Sequence, residues 1–192
     1  MKRIGIYGGT FDPIHFGHIK AAENVLKTVK LDFIIIVPAG MPPHKDGGYR
    51  KMAEDRLAMC RLAAADNPKL RVSDYEIRHE GKSYTYKTLG YFKKKFINDR
   101  LFFILGDEAY KSFDTWKNPE TIKSLAELVV VKRTGEKIDE NGVIMINKPP
   151  FQVSSSEIRE KAAKGESLSG LVPGEVLNYI YKNNLYRSEN TK

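Results

Sequence analysis

Residues 3–29 read RIGIYGGTFDPIHFGHIKAAENVLKTV. Ile4–Tyr7 is a short apolar run ending on Gly8-Gly9, the pattern of a buried strand feeding a turn. Beyond the turn, Ile19, Ala22, Val25, Leu26 and Val29 recur at the spacing of one helix face. Two successive glycines let backbone N–H groups approach a ligand with no side chain in between. Pro13 stiffens the loop, and the helix begins near Phe16 or Gly17. Its first turn offers unpaired N–H groups and positive dipole potential, a ready site for phosphate. His15 and His18 lie three residues apart and project to one side of that turn. Two imidazoles there can donate hydrogen bonds to charge developing on phosphoryl oxygens. Singly, each feature is ordinary: a Gly-Gly turn is common, and a histidine near a helix start is more often a cap. The glycines also match neither G-x-G-x-x-G nor a Walker A loop.

The same strand-then-helix alternation continues along the chain. Phe33–Val37 is a second apolar strand, stopped by Pro38 and followed by a Gly- and Pro-rich loop to Tyr49. Lys51–Ala65 has helical spacing, Leu70–Ile77 reads as a strand, and Thr85–Phe96 places Leu89, Phe92 and Phe96 on one helix face. Leu101–Leu105 is a central strand ending at Gly106. A short helical stretch follows, then strands at Leu128–Val131 and Val143–Ile146. Ser156–Lys164 and Pro173–Lys182 close the chain as helices, with Pro173 suited to a first turn. Apolar strands alternating with helices predict a Rossmann-like α/β fold, a doubly wound parallel sheet covered on both faces. Ligands of such folds bind at the carboxyl ends of the strands, where Gly8, Gly9 and Gly106 fall. The chain is expected to form a single domain, 1–192, including the C-terminal helices of 156–186.

The 192 residues suffice for one sizeable core, and 41% hydrophobic with 29% charged residues is ordinary for a soluble globular protein. The longest apolar runs are strand-length, far short of the ~20 residues of a spanning helix, and no signal-peptide apolar region follows Lys2-Arg3. A single cysteine, Cys60, excludes an internal disulfide framework and fits a reducing compartment, so a cytoplasmic location is expected. The net charge of +8 favours anionic ligands. Lysine runs are short and no basic arm is present, so nucleic-acid binding is not the expected role.

A second pattern, VSSSEIR at 153–159, supplies a capping box, Ser154-x-x-Glu157, and places Arg159 one turn along. On these residues alone it is either simply a well-started helix or, through its serine hydroxyls, free N–H groups and Arg159, a second anion site.

Together, GGTFDPIHFGH at 8–18 and the serine-rich VSSSEIR, roughly 135 residues apart, resemble the two signatures of the HxGH nucleotidyltransferases. Those signatures are (T/S)-F-D-x-x-H-x-G-H and, near the C-terminus, I-S-S-T-x-I-R. The resemblance implies that His15 and His18 bind ATP phosphates and stabilise the transition state, and that Gly8, Gly9, Thr10 and Phe11 wall the nucleotide site. It further implies ATP contacts from Gly106, Ser154, Ser155, Ser156, Ile158 and Arg159. The whole chain is similar to the bacterial nicotinate-mononucleotide adenylyltransferases, on four features: FDPIH, PPHK at 42–45, EGKSYTY at 80–86, and Trp116 within FDTWKN. Pantetheine-phosphate adenylyltransferases usually carry a Thr after FDP, and cytidylyltransferases FDLLH or FDLFH. This likeness implies adenylyl transfer from ATP to nicotinate mononucleotide, giving deamido-NAD and pyrophosphate.

A pyridine ring needs a flat aromatic partner, and Trp116 is the one tryptophan. The resemblance implies that it stacks on the nicotinate, with Tyr84, Thr85 and Lys117 around the ring and its carboxylate. Lys45 and Arg56 are basic candidates for phosphate, Lys45 the better, and Lys45 and Arg159 join the two histidines in the expected catalytic set. Where the family usually has Gly-(Ala/Ser)-Asp, this chain has Gly106-Asp107-Glu108, so the ribose carboxylate is Glu108 or a displaced Asp107, with Glu108 favoured. Ser156 replaces the usual Thr and keeps the hydroxyl. Mg²⁺ is expected to travel with ATP, with no dedicated protein metal site. The rival acceptor is nicotinamide mononucleotide, and the rival class a basic nucleic-acid-binding module on a nucleotide fold. Some relatives form a homo-oligomer, and no motif fixes that state here.

Overall fold

The computed structural model describes residues 1–41, 52–132, 142–147 and 153–187. Its centre is β1 (Arg3–Gly9), flanked by β2 (Phe33–Pro38) and β4 (Arg100–Gly106). Outside these lie β3 (Leu70–Val72), β5 (Glu127–Lys132) and β6 (Val143–Asn147). The order is β3-β2-β1-β4-β5-β6, and every neighbouring pair is parallel. This is the doubly wound Rossmann-like sheet. The order reverses between β1 and β4, which opens a crevice at their carboxyl ends.

The helices among the described residues are α1 (Phe16–Thr28), α2 (Ala53–Ala64), α3 (Tyr75–Arg78), α4 (Thr85–Lys95), α5 (Asp107–Lys111), α6 (Pro119–Leu125), α7 (Ser155–Ala163) and α8 (Gly174–Lys182), with a 3₁₀ turn at Phe113–Thr115. Strand residues alternate between two cores. Tyr7, Ile34, Ile36, Phe102 and Ile104 pack under α1, α2, α7 and α8, where Val25, Met59, Ile158 and Ile180 meet them. Ile4, Ile6, Phe33, Ile35 and Phe103 pack on the opposite face against Leu89 and Phe92 of α4 and Ile122 of α6. With both faces covered, the strands read as continuous apolar runs.

Three local expectations are corrected. The strand begun at Leu70 stops at Val72, and Tyr75–Arg78 is a helical turn. Ser73 makes the last rung, its N–H donating to the Ile36 carbonyl at 3.0 Å, and its hydroxyl then accepts the Tyr75 N–H at 3.3 Å. A serine that caps a turn ends an edge strand. The tilted pattern Val72, Tyr75, Ile77 misled because Tyr75 instead stacks on Tyr91, ring centroids 4.1 Å apart. Helix α6 goes unforeseen, although Asn118-Pro119 announces it: Asn118 takes φ +55° and Pro119 opens the helix. Pro173 lies just before α8 rather than in its first turn.

Candidate active site

The turn after β1 and the start of α1 form one wall of a cavity of about 250 Å³ at the carboxyl ends of β1 and β4. Gly8, Gly9, Phe11, His15 and His18 stand on that wall, and Gly106 and Glu108 face them from the end of β4. Close approach requires glycine at two positions, Gly9 and Gly17. A Cβ on Gly9 would meet the Phe11 ring at 2.8 Å, and one on Gly17 would meet His15 Nδ1 at 2.9 Å and Val153 Cγ1 at 3.2 Å. Phe11 itself sits at φ +49°, an uncommon backbone for an aromatic residue. It holds its place edge-on between Tyr7 at 5.3 Å and His18 at 5.1 Å.

The two imidazoles stack, centroids 3.7 Å apart and planes 26° from parallel. His15 is buried and His18 half-buried. The His15 backbone N–H points at His18 Nδ1 at 3.4 Å. With Nδ1 as acceptor, a neutral His18 ring carries its proton on Nε2, a donor to oxygen.

The second signature stands behind the loop, off the cavity wall. Ser154 caps α7 by accepting the Glu157 N–H at 3.1 Å, and the Ser155 hydroxyl donates to the Pro13 carbonyl at 3.0 Å. Arg159 Nη1 donates to the Asp12 carbonyl at 2.8 Å and lies 4.0 Å from the Asp12 carboxylate, while Nη2 donates to the Ser156 hydroxyl at 3.2 Å. Asp12 Oδ1 also accepts the Tyr186 hydroxyl at 2.7 Å. Burial, then the carboxylate's charge, pushes the Tyr186 phenol well above its ordinary range. Ile158 is fully buried in the core, so any ligand contact from it is confined to backbone.

Thr10 is off the wall too: its carbonyl accepts Arg56 Nη1 at 2.7 Å. Arg56 is fully buried on backbone carbonyls, which corrects its expected use as a phosphate ligand. Asp107 is buried and accepts the Glu108 N–H at 3.0 Å, whereas Glu108 is exposed and pairs with Lys111 at 3.3 Å. Lys45 and the rest of the PPHK stretch lie outside the described residues.

A second cavity of about 620 Å³ adjoins the first, sharing Ala109. Tyr84, Thr85, Trp116 and Lys117 all line it, and Ser83 lies beside them. Thr85 opens α4, whose free N–H groups favour an anion. Trp116 stands half-buried against Phe113 and Phe103, centroids 5.6 and 6.2 Å away. Sequence reasoning missed Tyr7, Gly17, Ala21, Ala109 and Val131 on the first wall. Ala21 was detectable, one turn beyond His18 on the same helix face.

A parallel sheet with a phosphate-type turn and stacked histidines at its switch point is the architecture of a nucleotide-binding α/β protein. The sequence model of the family described as cytidylyltransferase-like matches residues 6–161. A protein of Clostridium tetani named "Probable nicotinate-nucleotide adenylyltransferase" is 40% identical over 200 residues, covering 97% of this chain and 100% of its own. A Roseiflexus protein of the same name is 40% identical over 195 residues, 96% and 98% covered. The chain belongs to the cytidylyltransferase-like family and, within it, to the nicotinate-nucleotide adenylyltransferases. Its fold is that of the Plasmodium falciparum nicotinic acid mononucleotide adenylyltransferase solved with NaAD, at TM-score 0.78 and 24% identity over 97% of this chain and 98% of that one.

Proposed function

We propose that this chain transfers the adenylyl group of ATP to nicotinate mononucleotide. The observation that carries the reading is the pair of adjoining cavities: one walled by the Gly-Gly turn and stacked histidines, the other by Trp116 and the start of α4. The names of the relatives agree with it. A mononucleotide phosphate oxygen attacks the α-phosphorus of ATP in line. The bond to the β-bridging oxygen breaks, and pyrophosphate leaves with the electron pair. The substrate phosphate is already the nucleophile, so positioning and charge neutralisation suffice.

His18 Nε2–H and the first N–H groups of α1 donate to oxygens that gain charge. His15 holds His18 by stacking. Arg159 and the α7 start act through the loop they brace, and Lys45 is a further cation for the phosphates. Glu108 is the better ribose ligand, because Asp107 already serves the backbone. Trp116 takes the pyridine face and the Thr85 end of α4 its carboxylate. Asp107 and Glu108 offer oxygen donors on the wall, which suits Mg²⁺ held chiefly by phosphates and water. When bound, the metal neutralises phosphate charge. The reading takes 1–192 as one catalytic domain in the cytoplasm.

The test is pyrophosphate release from ATP with nicotinate mononucleotide, nicotinamide mononucleotide or phosphopantetheine. Turnover highest with the first, and lowered by orders of magnitude in folded His18→Ala, is expected. Near-normal kcat in that variant, or preference for another acceptor, refutes the reading.

A further inference from the structure

A largely buried polar cluster gathers where the chain leaves β1 and β2. Arg56, on the first turn of α2, grips backbone from two strand ends. Nη1 donates to Thr10 after β1, and Nη2 to Ala39 at 2.6 Å and Gly40 at 3.4 Å after β2. Glu76 of α3 approaches the same place from the other side. Its carboxylate accepts the Thr88 hydroxyl at 2.6 Å, with Ser83, the Gly40 N–H and the Arg56 charge near enough to favour its ionised form. Ser83 Oγ accepts the N–H groups of Gly40 and Met41 at 3.1 and 3.2 Å, and the Ser83 N–H donates to the Met41 carbonyl at 2.8 Å. Gly40 is the junction. A Cβ there would fall on the Glu76 carbonyl oxygen, so only glycine lets these backbones pass.

A buried guanidinium, and a half-buried carboxylate beside it, are costly unless each is charge-compensated and hydrogen-bonded, and removing one raises the penalty on the other. Burial pushes the Glu76 carboxyl up, against the hydrogen bonds and the Arg56 charge that lower it. The cluster is therefore stiff; one end lines the second cavity and the other is one peptide bond from the wall of the first. Ser83 lines the second cavity, and Thr10, itself off the first wall, joins the two wall residues Gly9 and Phe11 in the chain. A ligand that shifts Ser83 must shift Gly40, and with it the carbonyls that fix Arg56 and Thr10.

We propose that Arg56 and Glu76 are positioning residues that couple the two half-sites, so that each substrate tightens binding of the other. The proposal rests on the adenylyl-transfer reading. Such coupling is reciprocal and typically about 5- to 150-fold.

Calorimetry with an α,β-methylene analogue of ATP and with nicotinate mononucleotide tests it. In the wild-type chain, each ligand at saturation is expected to lower the Kd of the other by at least about fivefold. Glu76→Gln keeps the side-chain volume and removes the charge facing Arg56. It is expected to bring the coupling factor close to one while the analogue alone binds within about threefold of wild type. Thr88→Val leaves both charges and keeps the experiment decisive if Glu76→Gln unfolds; its coupling is expected to fall part-way. Independent Kd values in wild type, or unchanged coupling in the folded variants, overturn the proposal. Normal pyrophosphate release alongside uncoupled binding overturns it alone, whereas no release from wild type with this acceptor overturns the functional reading as well.

Discussion

Gly17→Ala tests whether catalysis depends on where the His15 ring sits. The added methyl carbon would lie 2.9 Å from His15 Nδ1, 3.0 Å from His15 Cε1 and 3.2 Å from Val153 Cγ1. The ring must move by several tenths of an ångström, and the stacked His18, 3.7 Å away, moves with it. Since about 1 Å of misplacement can lower a rate roughly 100-fold, kcat should fall about 10- to 100-fold. Stability should change little, because overpacking costs about 1–3 kcal/mol and alanine in place of helical glycine returns about 1 kcal/mol. Gly90→Ala is the internal control: it lies in α4, and its Cβ would meet nothing within 4 Å. That variant should gain about 0.5–1 kcal/mol and keep full activity. Pyrophosphate release and urea unfolding on both proteins separate the effects. A folded Gly17→Ala enzyme with wild-type kcat would refute the placement argument.

Three further outcomes are expected. Trp116→Ala should raise the KM for the mononucleotide about tenfold or more, with Trp116→Phe intermediate, because stacking adds about 0.5–1.5 kcal/mol beyond burial; an equal rise in the KM for ATP would count against the stacking role. Ser154→Ala should lower unfolding free energy by about 1 kcal/mol through loss of its cap, measured by urea melts. Alkaline pH should destabilise the fold. Burial, with the Asp55 hydrogen bond, pushes Tyr179 up to about 12, and burial beside Asp12 raises Tyr186 as well. Both stay protonated in the folded chain while the unfolded chain loses its protons near pH 10, so stability is full below that pH and declines as pH rises. Buried Cys60, also raised, opens the window nearer pH 9. Urea midpoints at pH 8, 10 and 11 should fall less steeply in a Tyr179→Phe/Tyr186→Phe variant; identical slopes would exclude this origin.

The sheet was legible because both of its faces are covered, so each strand announces itself as an apolar run whatever its neighbours are. Leu70–Ile77 was not, since an edge strand ends where hydrogen bonding stops, and Ser73 can bond either to Ile36 or forward into a turn. The histidines and glycines of 8–18 were legible because local chain geometry sets their relation. Arg56 was misread for the opposite reason. A basic residue near a loop has the same letter whether it meets a ligand or three carbonyls of the loops that follow β1 and β2. Tyr186 and Asp12, 174 residues apart, share no periodicity that could pair them.

That long-range hydrogen bond has a consequence for how the protein is made. The Gly-Gly turn and its histidines leave the ribosome well before the braces on Asp12, which come from Arg159 and Tyr186. At roughly 5–20 residues per second, about 10–35 s of translation separate the two ends of the contact. During that interval the nascent chain carries an unbraced phosphate turn. The turn reaches its braced geometry only once Tyr186 has been synthesised.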